Sequence, residues 1–305
     1  MYELIVIGGG PAGVAAGVYA ARKKIKTLLI TDSFGGQSLV SNDVQNWIGD
    51  ISVSGFDLGK RMEAHLRAQE SIEIVDSDIV TSIEENSDGF TLTTEKGNTY
   101  EAKSILLTSG SRRKKLGIPG EKEYESKGVF YCATCDAPMM GGRKAVVIGG
   151  GNSGLEAVRD LTGYAEKIYM LHRRDTLRGD AVTAQKLEKH PKVEFIYNAL
   201  IQEIMGETMV NKIRYKDKES GEEKELEVEG VFVEIGARPN SEFVKDLVDR
   251  NEKDEVIVDH KTQASSRKGI WAAGDVSDVL YKQNNVSSGD AIKAVMNIHE
   301  HLGDL

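Results

Sequence analysis

The sequence predicts an α/β fold in which strands and helices alternate, and three observations carry that prediction. A twelve-residue segment recurs: Ile5-Val6-Ile7-Gly8-Gly9-Gly10-Pro11-Ala12-Gly13-Val14-Ala15-Ala16 aligns without gaps on Val146-Val147-Ile148-Gly149-Gly150-Gly151-Asn152-Ser153-Gly154-Leu155-Glu156-Ala157, with identity at 7 of 12 positions. Each copy is followed by a second apolar run, Thr27–Ile30 and Lys167–Leu171. The chain has 305 residues, enough for two domains at ~150 residues each.

Taken in order, each copy opens on a β-branched run that reads as a buried parallel strand. The glycines then make a tight turn, and the Ala/Leu/Val-rich stretch beyond it reads as a helix. With the second apolar run this is a βαβ unit, the building block of an open parallel sheet. Between the copies, Ser71–Val80, Ile83, Gly89–Thr94 and Thr99–Thr108 are strand-like pieces broken by Asn86-Ser87-Asp88-Gly89 and Lys96-Gly97-Asn98, a β-meander that ends in Ile105-Leu106-Leu107. The basic run Arg112-Arg113-Lys114-Lys115 precedes Gly117-Ile118-Pro119-Gly120, which reads as a linker. After the second copy, Lys212–Asp217 and Glu223–Glu234 flank Lys218-Glu219-Ser220-Gly221-Glu222, which reads as a hairpin with a solvated charged face.

Composition narrows the function. Hydrophobic residues make up 40% and charged residues 29%, a globular profile, and 32 glycines with only 5 prolines do not suit low-complexity disorder. The net charge of −9 repels phosphate backbones and anionic lipid. Small molecules and proteins are therefore the expected partners, with no nucleic acid and no membrane. Leu4–Ala21 is nearly uncharged, but Gly8, Gly9, Gly10, Gly13 and Gly17 suit neither a membrane span nor a signal segment. The 2 cysteines are too few for a secreted disulfide scaffold, and the expected compartment is the cytoplasm.

A glycine triplet that follows a strand and opens a helix is the context of a dinucleotide site. The backbone must come close to a pyrophosphate, and the helix N-terminus offers it free N–H groups. A side chain at Gly10 or Gly151 would stand in the way. Twenty-one and twenty-two residues beyond these glycines lie Thr31-Asp32 in the first copy and His172-Arg173 in the second. A carboxylate there accepts a ribose 2′-hydroxyl, whereas arginine accommodates a 2′-phosphate. The first copy thus suits FAD or NAD, and the second, with His172, Arg173, Arg174 and Arg178, suits NADPH.

Cys132-Ala133-Thr134-Cys135 admits three readings: half a zinc site, a structural disulfide or a redox dithiol. Zinc lacks two further ligands, because His299 and His301 fall on opposite faces of a helix. A structural disulfide over so short a loop adds little stability. A redox dithiol is the expectation, with Asp136 as a carboxylate able to exchange a proton with a thiol. A flavin in the first site would link a hydride donor to a disulfide.

These residues resemble the low-molecular-weight thioredoxin reductases of the FAD/NADPH pyridine nucleotide-disulfide oxidoreductase group, over essentially the whole chain. Gly8, Gly10, Pro11, Ala12 and Gly13 resemble the FAD pyrophosphate motif, Gly35-Gly36-Gln37 with Asn46 the isoalloxazine-side segment, and Thr108-Ser109-Gly110 the A-T-G turn. Ala272-Ala273-Gly274-Asp275 with Lys282-Gln283 resembles the second FAD motif. Gly149, Gly151, Asn152, Ser153 and Gly154 match the NADPH turn, and Tyr131–Asp136 the dithiol segment.

The resemblance implies two Rossmann-like, three-layer dinucleotide-binding domains, the second inserted into the first: residues 1–113 with 246–305 for FAD, and 114–245 for NADPH and the dithiol. It adds Val80, Asn284, Ile235 and Gly236 to the cofactor contacts and makes Cys135 the cysteine nearer the flavin. Cys132 then attacks thioredoxin, with Asp136 as acid/base. It also implies a homodimer and a mobile nucleotide domain on linkers Gly110–Gly120 and Gly236–Asn240. Phe34–Gln37, Gly149–Gly154 and Tyr281-Lys282-Gln283 are equally similar to the flavoprotein component of alkyl hydroperoxide reductase, whose additional C-x-x-C has no counterpart in this sequence. Asp136-Ala137-Pro138 and Asn284–Ser288 depart from the thioredoxin reductase pattern. A peroxiredoxin- or glutaredoxin-like partner, or peroxide-forming NAD(P)H oxidase activity, is the alternative.

Overall fold

Four consecutive residues of the first strand alternate between two apolar cores, Leu4 and Val6 on one face and Ile5 and Ile7 on the other. A strand covered on both faces belongs in the middle of a parallel sheet with layers on either side. It occupies that place in the computed structural model, which describes residues 1–41 and 43–303.

The chain begins with β1 (Tyr2–Gly9), α1 (Pro11–Arg22), β2 (Thr27–Phe34), α2 (Gly55–Arg67), β3 (Ile72–Val75), β4 (Val80–Asn86), β5 (Gly89–Thr94) and β6 (Thr99–Leu107). The strands form one sheet in the order β3-β2-β1-β6-β5-β4, parallel from β3 to β6 and antiparallel through β5 and β4. The meander is therefore shorter than the run of strand-like pieces. Ile72–Val75 leaves it and extends the parallel edge beside β2.

A short strand, β7 (Ser111–Arg113), leads into a second unit of β8 (Val129–Phe130), α3 (Ala133–Asp136), β9 (Lys144–Ile148), α4 (Asn152–Leu161), β10 (Lys167–Leu171), α5 (Ala181–Glu188) and β11 (Val193–Ile196). The unit continues through β12 (Ala199–Gly206), β13 (Val210–Asp217), β14 (Glu223–Glu227) and β15 (Gly230–Val233), and the chain leaves through β16 (Ala237–Pro239). Strands β11-β10-β9-β15-β8 make an all-parallel sheet. Ala145, Val147 and Phe232 face one core, Val146, Ile148, Val231 and Val233 the other. The expected hairpin is present as β13 and β14, but its second arm stops at Glu227. Gly-Val-Phe-Val at 230–233 is apolar on both faces and becomes a central parallel strand beside β9.

The chain divides into a unit of residues 1–112 with 238–305 and a unit of residues 113–237. The return crossing therefore falls at Ala237/Arg238 instead of 245/246. Residues past it are already bound to the first unit: Asn240 exchanges hydrogen bonds with Ser109 (2.7 and 2.8 Å), Arg112 pairs with Glu242, and Val244 sits in its core. The outgoing and returning strands, β7 and β16, pair as a two-stranded ribbon. The first unit is completed by β17 (Ile270–Ala272), beside the last half of β6, and α6 (Asn284–Gly303). Ala291, Ala294, Val295 and Ile298 of α6 share a core with α1.

Candidate functional site

Each βαβ repeat turns at its glycines in the same way. Gly8 (φ +114°) and Gly149 (φ +137°) hold backbone angles that favour glycine, and a Cβ there would fall 2.4 Å from the Thr108 carbonyl oxygen and 2.2 Å from that of Glu234. A Cβ on Gly13 or Gly154 would lie 1.8 or 2.2 Å from the carbonyl oxygen of Gly8 or Gly149. Gly10 and Gly151 differ: a Cβ on Gly10 would meet only the Gly36 Cα at 3.8 Å, and one on Gly151 would meet nothing within 4 Å. The outer glycines are thus required by the protein's own packing, while the third leaves room at a helix start. Neither α1 nor α4 has a side-chain N-cap, so their first N–H groups face that room. Both turns fit a pyrophosphate on these grounds.

The pairs Thr31-Asp32, inside β2, and His172-Arg173, just past β10, each divide their labour. A Cβ on Gly9 would lie 2.7 Å from Thr31 Oγ1, and one on Gly150 2.5 Å from His172 Nδ1. Thr31 and His172 are therefore buried floors beneath the turns, and Asp32 and Arg173 are the exposed residues. Burial, helped by the charges of Arg174, Arg173 and Arg178, lowers the His172 pKa against the raising effect of a Thr176 backbone hydrogen bond. Its Nε2 is buried without a partner. Arg173, Arg174 and Arg178 are exposed on a loop fastened to the turn: Arg178 and Gly179 N–H donate to the Gly150 carbonyl (2.7 and 3.1 Å), and Asp180 N–H donates to Asn152 Oδ1 (2.8 Å).

In the first unit the remaining expected residues gather around the α1 turn. Gly35 N–H donates to the Gly9 carbonyl at 3.0 Å, and Gln37 beside it is exposed. A Cβ on Gly274 would lie 3.3 Å from Ala12 Cβ, Ser288 Oγ donates to the Pro11 carbonyl at 3.3 Å, and Ser111 Oγ donates to Asp275 at 3.2 Å. Asn46 bonds Gln283 (3.2 Å) and Asn284 bonds Ser38 (3.0 Å). Ser109 and Gly110 follow β6, each bonded to Asn240. Lys282 Nζ donates to the Ser277 and Asp275 carbonyls (2.5 and 3.4 Å) and pairs with Glu255 (3.0 Å), so it fastens the turn that carries Asp275. Val80 lies in the core on the sheet face away from α1. Asn285, which the motifs do not single out, donates to the Asn46 carbonyl at 2.7 Å.

Strand β8 delivers the dithiol segment. Cys132 and Cys135 form a disulfide with their Cα atoms 5.4 Å apart, each half-buried. The N–H groups of Cys135 and Asp136 donate to the Cys132 carbonyl (3.2 and 3.0 Å), so the bridge spans one helical turn that ends in the buried carboxyl of Asp136. Tyr131 anchors the approach. Its hydroxyl donates to Glu121 (3.1 Å), Lys115 Nζ stands 3.8 Å from its ring, and burial beside Glu121 and Glu125 raises its pKa. Glu121 also accepts the N–H groups of Leu116 and Gly117 (2.8 and 2.7 Å), which ties the chain entering the second unit to the dithiol segment. Ile235 and Gly236 follow β15, with Lys114 N–H donating to the Gly236 carbonyl at 3.0 Å.

Two helix-opening glycine turns and a half-buried disulfide at a strand end are the features that the described residues present. The chain belongs to the pyridine nucleotide-disulphide oxidoreductase family, which it matches over residues 2–296. Its curated relatives include the F subunit of alkyl hydroperoxide reductase from Pseudomonas aeruginosa (40% identity over 305 residues) and NADH dehydrogenase of Bacillus subtilis (38% over 301 residues). In both comparisons 99% of this chain is covered but only 58% of the relative, so the chain spans a little under three-fifths of their length. Among solved structures it is similar to thioredoxin reductase from Streptococcus pyogenes (32% identity, TM-score 0.93, 100% of this chain and 99% of that one). It is also similar to thioredoxin reductase from Giardia duodenalis (31% identity, TM-score 0.92, the same coverage). Family membership implies flavin and nicotinamide cofactors. Among the described residues no helix is long and apolar enough to cross a membrane.

Proposed function

We propose that this chain is an NADPH-dependent reductase of a thioredoxin-type protein disulfide, working through FAD and the Cys132/Cys135 pair. The observation that carries the reading is the half-buried disulfide held in the same unit as a glycine turn to which the loop carrying Arg173, Arg174 and Arg178 is hydrogen-bonded. Gly8, Gly10, Gly13, Asp32, Gly35–Gln37, Asn46, Ser109, Gly110, Gly274, Asp275, Gln283 and Asn284 would hold FAD. Gly149–Gly154 and the three arginines would hold NADPH, with Ile235 and Gly236 beside it. When bound, FAD supplies the two-electron relay between a hydride donor and a disulfide.

The chain's own chemistry is thiol exchange. Once reduced, the Cys132 thiolate attacks the partner's disulfide, its sulfur bonding to one partner sulfur while the other leaves as a thiolate. Cys135 then attacks Cys132, which restores the intramolecular disulfide and frees the second partner thiol. Asp136 is the acid that returns a proton to a leaving sulfur. A homodimer is part of the same proposal.

The test is steady-state reduction of a thioredoxin disulfide with NADPH and NADH compared. NADPH should be strongly preferred, and Cys135→Ser should abolish turnover while leaving the bound flavin reducible; unchanged turnover would overturn the reading. A second reading, reduction of a separate peroxiredoxin-like partner, is favoured by the 40% identity to the alkyl hydroperoxide reductase relative. Turnover with such a partner and none with thioredoxin would select it.

A further inference from the structure

Glu234 is a buried carboxylic acid that the exchange chemistry above does not use. Its place follows from strand register. In the parallel pair β15–β8, Val231 stands opposite Val129 and Phe232 opposite Phe130, so two residues further on Glu234 comes level with Cys132. Alternate residues of a strand share a face. Phe130 and Phe232, with ring centroids 5.1 Å apart, lie in the core that also holds Ala133, and Cys132 and Glu234 each follow two residues beyond them.

The contacts agree with the register. The Glu234 carboxyl lies against the backbone N–H of Ala133, the residue between Cys132 and Thr134, while its own carbonyl oxygen packs against Gly149 of the nucleotide turn. The charged groups around the carboxyl are Arg113 at the entry strand, Glu156 on α4 and Asp136 at the end of α3. Burial pushes its pKa up to about 7, against Arg113 and the Ala133 N–H, which pull it down. A carboxyl balanced in this way responds to any new charge nearby, since buried charges interact strongly.

We propose that Glu234 is a redox-linked proton acceptor: it binds one proton from water when the Cys132–Cys135 disulfide is reduced. Two electrons from a dithiol reductant break the sulfur–sulfur bond and leave two sulfurs that carry two negative charges between them. One sulfur is neutralised by a proton and the other stays a thiolate. The thiolate charge that persists raises the proton affinity of Glu234, whose carboxylate becomes a carboxylic acid. Below the folded-state pKa of the oxidised form Glu234 is already protonated and takes up nothing. The extra proton therefore enters as the pH rises through about 7, and it is lost again above the higher pKa of the reduced form.

The inference rests on a redox role for the dithiol, but its test needs neither NADPH nor thioredoxin. The holoprotein is equilibrated anaerobically with mixtures of reduced and oxidised dithiothreitol between pH 6 and pH 9, and the state of the two cysteines is read by alkylation after acid quench. Glu234→Gln keeps an oxygen for the Ala133 N–H but cannot titrate. The wild-type reduction constant, divided by that of Glu234→Gln, should fall several-fold across this range, with a ceiling of about tenfold per pH unit for one proton. A ratio independent of pH would overturn the proposal and leave Glu234 a purely structural acceptor. Should Glu234→Gln fail to fold, infrared difference spectra of the wild type decide: a protonated-carboxyl band should appear on reduction at pH 8, and its absence overturns the proposal. Failure of NADPH-driven turnover with an intact pH effect would count against the proposed function alone.

Discussion

The two glycine turns share a backbone and differ in what surrounds it. In the first unit the turn is roofed by other parts of its own unit: Gly36 lies over Gly10, Gly274 against Ala12, and Ser288 of α6 against Pro11. In the second unit the space above Gly151 is open, and what closes on the turn is the loop carrying Arg173, Arg174 and Arg178. Thr31 and His172 take equivalent places as floors, so the distinction between the sites passes to the next residue, Asp32 or Arg173. A repeated backbone therefore keeps one way of meeting a pyrophosphate. On the proposed reading, only a few side chains at the end of the second strand would have to change for it to meet a different ribose.

The comparison breaks first at the glycines. Gly8→Ala and Gly149→Ala combine a positive φ with a backbone clash and should each destabilise the protein by about 2–5 kcal/mol. Gly10→Ala and Gly151→Ala should change stability by less than about 1 kcal/mol and instead weaken nucleotide binding. Urea unfolding read beside flavin retention and NADPH affinity checks this, and equal losses of stability at Gly8 and Gly10 would remove the distinction between packing and open glycines. Next come the residues that differ. Arg173→Ala or Arg174→Ala should cut the preference for NADPH over NADH by about 10- to 100-fold, the value of a charge-assisted hydrogen bond to phosphate. Competitive binding of the two nucleotides measures it, and an unchanged ratio would detach the arginines from the ribose. The smallest effect belongs to the helix caps. α2 and α5 each start on a side chain that accepts an N–H three residues on, Ser54 from Asp57 (3.0 Å) and Asp180 from Thr183 (2.7 Å). Ser54→Ala should cost about 1 kcal/mol, seen as a lower melting temperature with NADPH affinity unchanged.

The features legible in the sequence are those that recur or carry special chemistry. The glycine repeat placed β1, α1, β9 and α4, and the C-x-x-C pair placed the disulfide, because glycine spacing and paired thiols are constrained locally. Helix α2 lies outside the repeat, and its signal is only the Ser54 cap and an apolar stripe of Leu58, Met62 and Leu66. The split of Glu223–Glu234 into β14 and β15 depends on β9 being available to pair with Gly230–Val233, a contact across more than eighty residues. Glu234 was hidden for the same reason: read along the chain it ends a strand, and only the β15–β8 register brings it beside Cys132. The return crossing moved to Arg238 because Asn240 and Glu242 are held by Ser109 and Arg112, partners more than a hundred positions away.

The ribbon of β7 and β16 has a consequence for how such a chain can be assembled. Asn240 N–H donates to the Gly110 carbonyl at 2.9 Å on one side of it, and Lys114 N–H to the Gly236 carbonyl at 3.0 Å on the other. The inserted unit thus starts and finishes at neighbouring points, like a bead threaded on a closed loop of string. A short peptide graft from Gly110 to Asn240 would close the host without cutting its sheet. The bead, lifted out at Arg113 and Ala237, would keep all five strands of its own parallel sheet. Nothing in the backbone wiring of either piece requires the other to be its neighbour in the gene.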